Sequence, residues 1–288
     1  MDFLVAVFVI LFSLLVGLIP FSLLYGPADL LYVLFFRVIK YRRNIVEKNL
    51  RDTFPNLTGA EIKSLMKRFY RNLGDVMIEG IKAFTMPSHQ IIKRHKCMNP
   101  EVVMPYFRAG KSIIACPGHC ANWEWGSMPG GLQLPFDIIV LYKPLANRWL
   151  DKYLRWTRAR FGSRLVSIYK TGSIFRQYSP KNSAFVMAAD QSPSNLNKAV
   201  WVDFMGRRTA FLHGPESYAR KHDLPVFYVD IRRVKRGYYE LRFDLITDEP
   251  TRVEQGVITQ RYAYRLAQTI ERDRGSWLWS HRRWKHGG

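Results

Sequence analysis

Apolar side chains run almost without interruption from Phe3 to Leu24, as FLVAVFVILFSLLVGLIPFSLL, and no charged side chain occurs between Phe3 and Ala28. An α-helix rises about 1.5 Å per residue, so roughly 20 such residues cross a hydrocarbon core about 30 Å thick with every backbone group bonded internally. The pattern predicts a membrane anchor over residues 1–36, with Phe3 to Ala28 as one membrane helix. Arg37, Lys40, Arg42 and Arg43 follow at once. Basic residues beside a span favour the cytoplasmic side, so residues 37–288 are expected to form a single cytoplasmic domain. A secretory signal fits poorly, because such signals open on a basic segment and close on a small-residue cleavage site. A helix lying in the interface, or a hairpin broken at Pro20 and Gly26 with residues 30–36 as a second apolar arm, satisfies the same pattern.

Beyond the anchor the period changes twice. RRNIVEKNLRDTF and TGAEIKSLMKRFYRNLGDVMIEGIKAF carry apolar residues at helical spacing, separated by the turn Pro55-Asn56-Leu57-Thr58. Thr58 with Glu61 three residues on predicts a capping box. Short apolar runs then alternate with helical stretches. KSIIAC, FDIIVLY, SAFVMAA, LPVFYVDIRR and YYELRFDLI read as strands, while NRWLDKYLRWTRARFG, PESYARKHD and TRVEQGVITQRYAYRLAQTIERD read as helices. The fold class is α/β, a mixed sheet flanked by helices with an N-terminal membrane helix. An aromatic and basic tail, with Trp277, Trp279, Arg282, Arg283 and Trp284, follows the closing helix and suits a membrane interface or a packing platform.

Charge narrows the partners. Lys plus Arg outnumber Asp plus Glu by 44 to 23, a formal net charge of +21, which attracts polyanions. No zinc-finger spacing, single-strand-binding aromatic motif or basic zipper appears, so nucleic acid is not the expected partner. On a membrane-anchored chain the same charge meets anionic head groups, a phosphorylated lipid or an acidic carrier protein. Cys116 and Cys120 bracket His119, but a structural zinc site needs four ligands and no second Cys/His cluster is evident. No metal is expected.

The segment Ala115-Cys-Pro-Gly-His-Cys-Ala-Asn-Trp-Glu-Trp125 carries the candidate chemistry. A strand ending at Pro117-Gly118 would place His119 at the sheet's carboxyl edge, where ligands of open α/β sheets bind. Glu124 is expected in the first turns of a following helix, whose free N–H groups can hold an oxyanion. Positions five apart lie roughly 140° apart around a helix, so His119 has to precede that helix and fold back toward Glu124. The spacing alone decides nothing, since seven histidines among 23 acids produce it by chance.

Several ordered segments together resemble the bacterial lipid A biosynthesis acyltransferases of the lauroyl and myristoyl transferase type, related more distantly to glycerolipid acyltransferases within the lysophospholipid acyltransferase superfamily. They are the apolar anchor leading into RRNIVEKNLRDTFPNLT; Gly118-His119-Cys-Ala-Asn122-Trp123-Glu124, similar to the family's His-x4-Asp/Glu motif; and Tyr142-Lys143-Pro144, with Lys where Arg is usual. Arg158, Arg160, Phe161 and Gly162, then Asp190-Gln191-Ser192-Pro193, Val202 to Arg207 and Trp277 to Lys285 complete the likeness. The resemblance implies acyl transfer from an acyl carrier protein thioester, or a CoA thioester, to a hydroxyl of a lipid A precursor. No cofactor is implied, and the setting is the cytoplasmic side of a bacterial inner membrane. It implies His119 as general base, oriented by Glu124, with the nucleophile belonging to the substrate. Asn122, Lys143, Arg158, Arg160, Asp190 and Gln191 become substrate-binding candidates; the three basic residues suit a lipid phosphate or a phosphopantetheine arm. Asp190, after SAFVMAA, is expected at a strand's carboxyl end beside the His119 loop.

Other readings follow the same residues. The acceptor can be an aminolipid, a glycolipid or a lysophospholipid, because the motif marks the transfer and not the acceptor. A thioesterase, or a non-catalytic module binding anionic lipid, would use the same anchor and charge.

Overall fold

The computed structural model describes residues 2–286. The apolar N-terminal stretch is not one helix. Pro20, which has no N–H to continue the ladder, separates α1 (Asp2–Leu18) from α2 (Phe21–Val33), and a π turn extends α2 over Leu34–Val38. Gly26 and Pro27 lie inside α2. The expected single helix from Phe3 to Ala28 is therefore a broken pair. Among the described residues, Phe21–Val38 is the one helix long and apolar enough to cross a membrane.

Both helices lean on the body of the protein. The long amphipathic α4 (Gly59–Ala83) follows α3 (Arg43–Thr53) and opens on the Thr58–Glu61 capping box expected from the sequence. Against it α2 packs so closely that a Cβ on Gly74 would come within 2.7 Å of the Ala28 carbonyl. Lys82, near the end of α4, donates to the carbonyls of Gly17 and Ile19, holding the open end of α1. The outer side of α1 remains exposed, with Phe3, Leu4, Phe8, Leu15 and Leu18 uncovered.

The rest of the chain alternates. In order come α5 (Ser88–Arg94), β1 (His95–Cys97), α6 (Met104–Arg108), β2 (Ile113–Pro117), α7 (Met128–Gln133), β3 (Asp137–Tyr142) and α8 (Arg148–Ala159). Then follow β4 (Ser163–Ser167), α9 (Thr171–Tyr178), β5 (Ser183–Val186), β6 (Ala199–Phe204), β7 (Arg207–Leu212), α10 (Gly214–His222), β8 (Val226–Lys235), β9 (Tyr238–Thr247) and α11 (Val257–Arg272). Seven strands form one sheet in the order β1-β9-β8-β2-β5-β3-β4, while β6 and β7 pair as a separate hairpin. β8, β2, β5, β3 and β4 are parallel, and β9 turns back antiparallel beside β8.

Burial on both faces explains the near-continuous apolar runs. In β2, Ile114 and Cys116 face one core with Phe185, Tyr228 and Leu266, whereas Ile113 and Ala115 face the other with Ile138, Ala184 and Phe227. β4 and the β6–β7 hairpin escape sequence prediction, because they are short and their outward positions carry charged residues such as Arg164, Asp203 and Arg208 in place of a continuous apolar run.

Candidate active site

Neighbouring strands bring the two central residues together. β2 and β5 are parallel and in register at Ala115 and Val186, so residues four positions beyond each, His119 and Asp190, emerge side by side at the carboxyl edge. His119 Nδ1 lies 2.6 Å from Asp190 Oδ1, and the His119 backbone N–H donates to Asp190 Oδ2 at 2.8 Å. The indole Nε1 of Trp277 donates to the same oxygen at 2.9 Å. Asp190 is closed off, its side chain 1% exposed against 20% for His119.

The electrostatics follow. Burial opposes charge on both groups, yet the proximity and hydrogen bond of each outweigh it for the other. The His119 pKa is raised above the ordinary histidine value, with the charge of Glu124 adding to that of Asp190. The Asp190 carboxyl falls far below the usual range, through His119 and the Trp277 indole. An ionised Asp190 therefore fixes Nδ1 as the protonated nitrogen and leaves Nε2 with its lone pair outward. Gln191 Nε2 lies 3.3 Å from that nitrogen.

Glu124 does not take the position expected of it. Residues between His119 and Met128 form successive turns, Ala121 with φ of 50°, and the next helix, α7, begins only at Met128. No helix N-terminus therefore lies at His119. Asn122 pins this turn inward: its Nδ2 donates to Glu79 Oε2 at 2.6 Å and its Oδ1 accepts from the Trp125 N–H at 3.0 Å. Glu124 swings outward instead, bonded to Arg158 at 2.7 Å and to the Trp123 indole at 3.1 Å. Asp190, not Glu124, bonds His119.

The other candidates divide. Asn122 is fully buried with both ends of its amide engaged, and it braces the loop. Arg160 turns away and donates to the carbonyls of Phe84 and Met86, closing the end of α4. Arg158 stays at the site through Glu124, its Nε buried without a partner. Lys143 follows β3, two strands from β2, and is exposed. Cys116 and Cys120 are buried, and burial pushes both thiols up, away from the nucleophilic thiolate. Among the described residues no group of three or more His, Cys, Asp or Glu is placed to hold a metal ion.

Sequence reasoning missed what the tail contributes. Leu278 N–H donates to the His119 carbonyl and Ala121 N–H to that of Ser276, lacing the tail to the turn. Trp277 reaches Asp190, and His281 accepts from the Ser192 N–H at 2.9 Å, with burial pushing its pKa down to about 4. An aromatic run signals burial, but nothing in it specifies which carboxylate an indole will meet.

Comparison with known proteins adds a family to this geometry. The model for bacterial lipid A biosynthesis acyltransferase matches residues 2–286. The lipid A biosynthesis lauroyltransferase of Escherichia coli (strain K12) is 24% identical over 218 residues, covering 67% of this chain and 71% of that protein. The family match takes in the apolar pair of helices, the His119 turn and the tail laced to it, and the chain belongs to the bacterial lipid A biosynthesis acyltransferases.

Proposed function

We propose that this acyltransferase moves a fatty acyl chain from a carrier thioester to a hydroxyl of a lipid A precursor at the cytoplasmic face of the inner membrane, with His119 as general base. The observation that carries the reading is the His119–Asp190 pair, which in the neutral imidazole puts the proton on Nδ1 and leaves the lone pair on Nε2. A hydroxyl is a weak nucleophile until its proton is drawn away. His119 Nε2 takes that proton as the oxygen attacks the thioester carbonyl. The C–S bond then breaks, and the imidazolium returns the proton to the departing thiolate. Asp190 holds the tautomer and stabilises the imidazolium, the part first expected of Glu124. Gln191, beside Nε2, is placed to contact the incoming oxygen, and the Glu124–Arg158 pair lines the entrance. The nucleophile comes from substrate, in keeping with the buried thiols. Acyl carrier protein, an acidic partner, suits the +21 chain as donor, with acyl-CoA as the alternative.

Membrane attachment is part of the same proposal. The exposed side of α1 and the length of Phe21–Val38 support it, and the basic residues from Arg37 to Arg43 favour the cytoplasmic side. The test is mass spectrometry of total lipid from cells carrying wild type or His119→Ala at equal membrane content. Loss of one acyl chain from a lipid A species supports the reading. A different lipid losing the chain changes the acceptor, and no change in any lipid overturns the transfer.

A further inference from the structure

A second polar region reaches the His119 turn at Ala121 and shares no lining residue with the Glu124–Arg158 pair. Two cavities, of about 680 Å³ and about 270 Å³, share Arg68, Arg233 and Asp273 as walls. The larger is bounded by Asp29, Tyr32 and Val33 of α2, and the smaller reaches Ala121 in the turn itself. The combined space thus extends from the apolar helices to the catalytic loop.

Its charges do not balance. Arg233 and Arg236 both bond Asp75 at 2.6 Å, and Arg236 also bonds Asp29 at 2.6 Å. Arg272 bonds Asp230 at 2.7 Å, and Arg68 bonds Asp273. Arg71 and Arg232 complete the arginines, and among the described residues neither has an ion-pair partner; Arg71 stands 5.0 Å from the centre of the Tyr32 ring. One unmatched guanidinium therefore lines each cavity, Arg71 the larger and Arg232 the smaller. Gly275 contributes space, since a Cβ there would lie 2.8 Å from Arg68 Nε.

We propose that this cavity binds a phosphate group carried on a larger molecule. Guanidinium forks match phosphate oxygens in pairs, and the groups already paired with Asp75 and Asp273 are held ready to share their remaining donors. About 680 Å³ is the size of a small-molecule site rather than of a lone ion. The phosphate comes either from a lipid head group, delivered along α2, or from a soluble phosphorylated molecule. Binding here does not depend on the proposed acyl transfer.

The full chain in neutral detergent is titrated calorimetrically with inorganic phosphate. In parallel it is floated with phosphatidylcholine vesicles, with and without phosphatidic acid. Wild type is expected to bind phosphate saturably, and Arg71→Gln with Arg232→Gln to weaken it roughly tenfold or more. Arg282→Gln with Lys285→Gln, in a separate basic groove, should leave it unchanged. If phosphatidic acid recruits wild type beyond pure phosphatidylcholine and not the Arg71/Arg232 variant, the source is a head group; phosphate binding without that recruitment makes it soluble. Equal phosphate binding by wild type and a folded double variant overturns the site, as does the absence of saturable binding in wild type. The single Arg71→Gln variant, in the larger cavity, repeats the comparison if the double variant melts early. Acyl transfer is not the readout, so failure here leaves the proposed function standing and failure of the transfer leaves this site standing.

Discussion

Asp190 and Glu124 are both carboxylates whose charge raises the pKa of His119, yet their surroundings are opposite. Asp190 is sealed beneath the imidazole by the His119 N–H and the Trp277 indole. Glu124, with its side chain 41% exposed, shares its charge with Arg158 at the rim. In water a nearby charge is screened, whereas a buried hydrogen-bonded charge is screened less and acts in a fixed direction. The family resemblance singles out the residue at the rim; geometry gives the inner position to the other.

The largest test exchanges the two. Asp190→Asn should lower kcat on the order of 10³- to 10⁴-fold with the protein still folded, because an amide lets the wrong nitrogen of His119 carry the proton. Steady-state rates on an acyl-carrier donor measure it. If Glu124→Gln produced that loss and Asp190→Asn did not, the assignment would reverse.

The pH profile sharpens the contrast next. A general base works unprotonated, so kcat/KM should fall as pH drops through the raised His119 pKa, placing the acid limb above about 6.5, the ordinary histidine value. Asp190→Asn should move that limb to lower pH, and Glu124→Gln should move it in the same direction by less. The stability linkage has the matching sign. A folded pKa above the unfolded one contributes stability fully at pH below the ordinary value, lost as pH rises through the folded pKa. The melting-temperature gap between wild type and His119→Gln should narrow over that window.

Glu124→Gln itself should cost roughly tenfold in kcat/KM, mainly through KM, since Arg158 loses its ionic partner at the entrance. The smallest effect on rate is expected for Trp277→Phe, which keeps an aromatic ring but removes the indole N–H to Asp190 and part of a buried side chain. A loss of about 0.5–1.5 kcal/mol, or a few-fold in kcat, is expected, read together with a melting curve. An unchanged acid limb and rate in Trp277→Phe would show the indole to be only packing.

Much of this is legible in the sequence. Apolar runs disclosed the principal parallel strands, and SAFVMAA placed Asp190 at a strand end beside the His119 loop. Thr58 and Glu61 marked the start of α4. What escaped were contacts set by chain reversal. Nothing in Cys-Ala-Asn-Trp-Glu shows that Ala121 adopts positive φ, or that Asn122 is drawn inward to a glutamate on α4. Those two residues decide where Glu124 points. Pro20 was visible as a break, but whether a proline kinks or ends a helix depends on neighbouring support. Here α1 runs along α8, through Ser13 with Tyr153 and Phe3 with Trp149, while α2 lies on α4.

The common register of β2 and β5 carries a consequence for how this protein tolerates change. His119 and Asp190 stand at equal chain lengths from a paired position, so their alignment is inherited from the ladder rather than adjusted afterwards. Deleting one residue from either Cys116–Gly118 or Met187–Ala189 would offset the partners by up to about 3.3 Å, the rise of one extended residue, more than a hydrogen bond can stretch. Length in these two short segments is thus as strictly constrained as the identity of the residues at their ends.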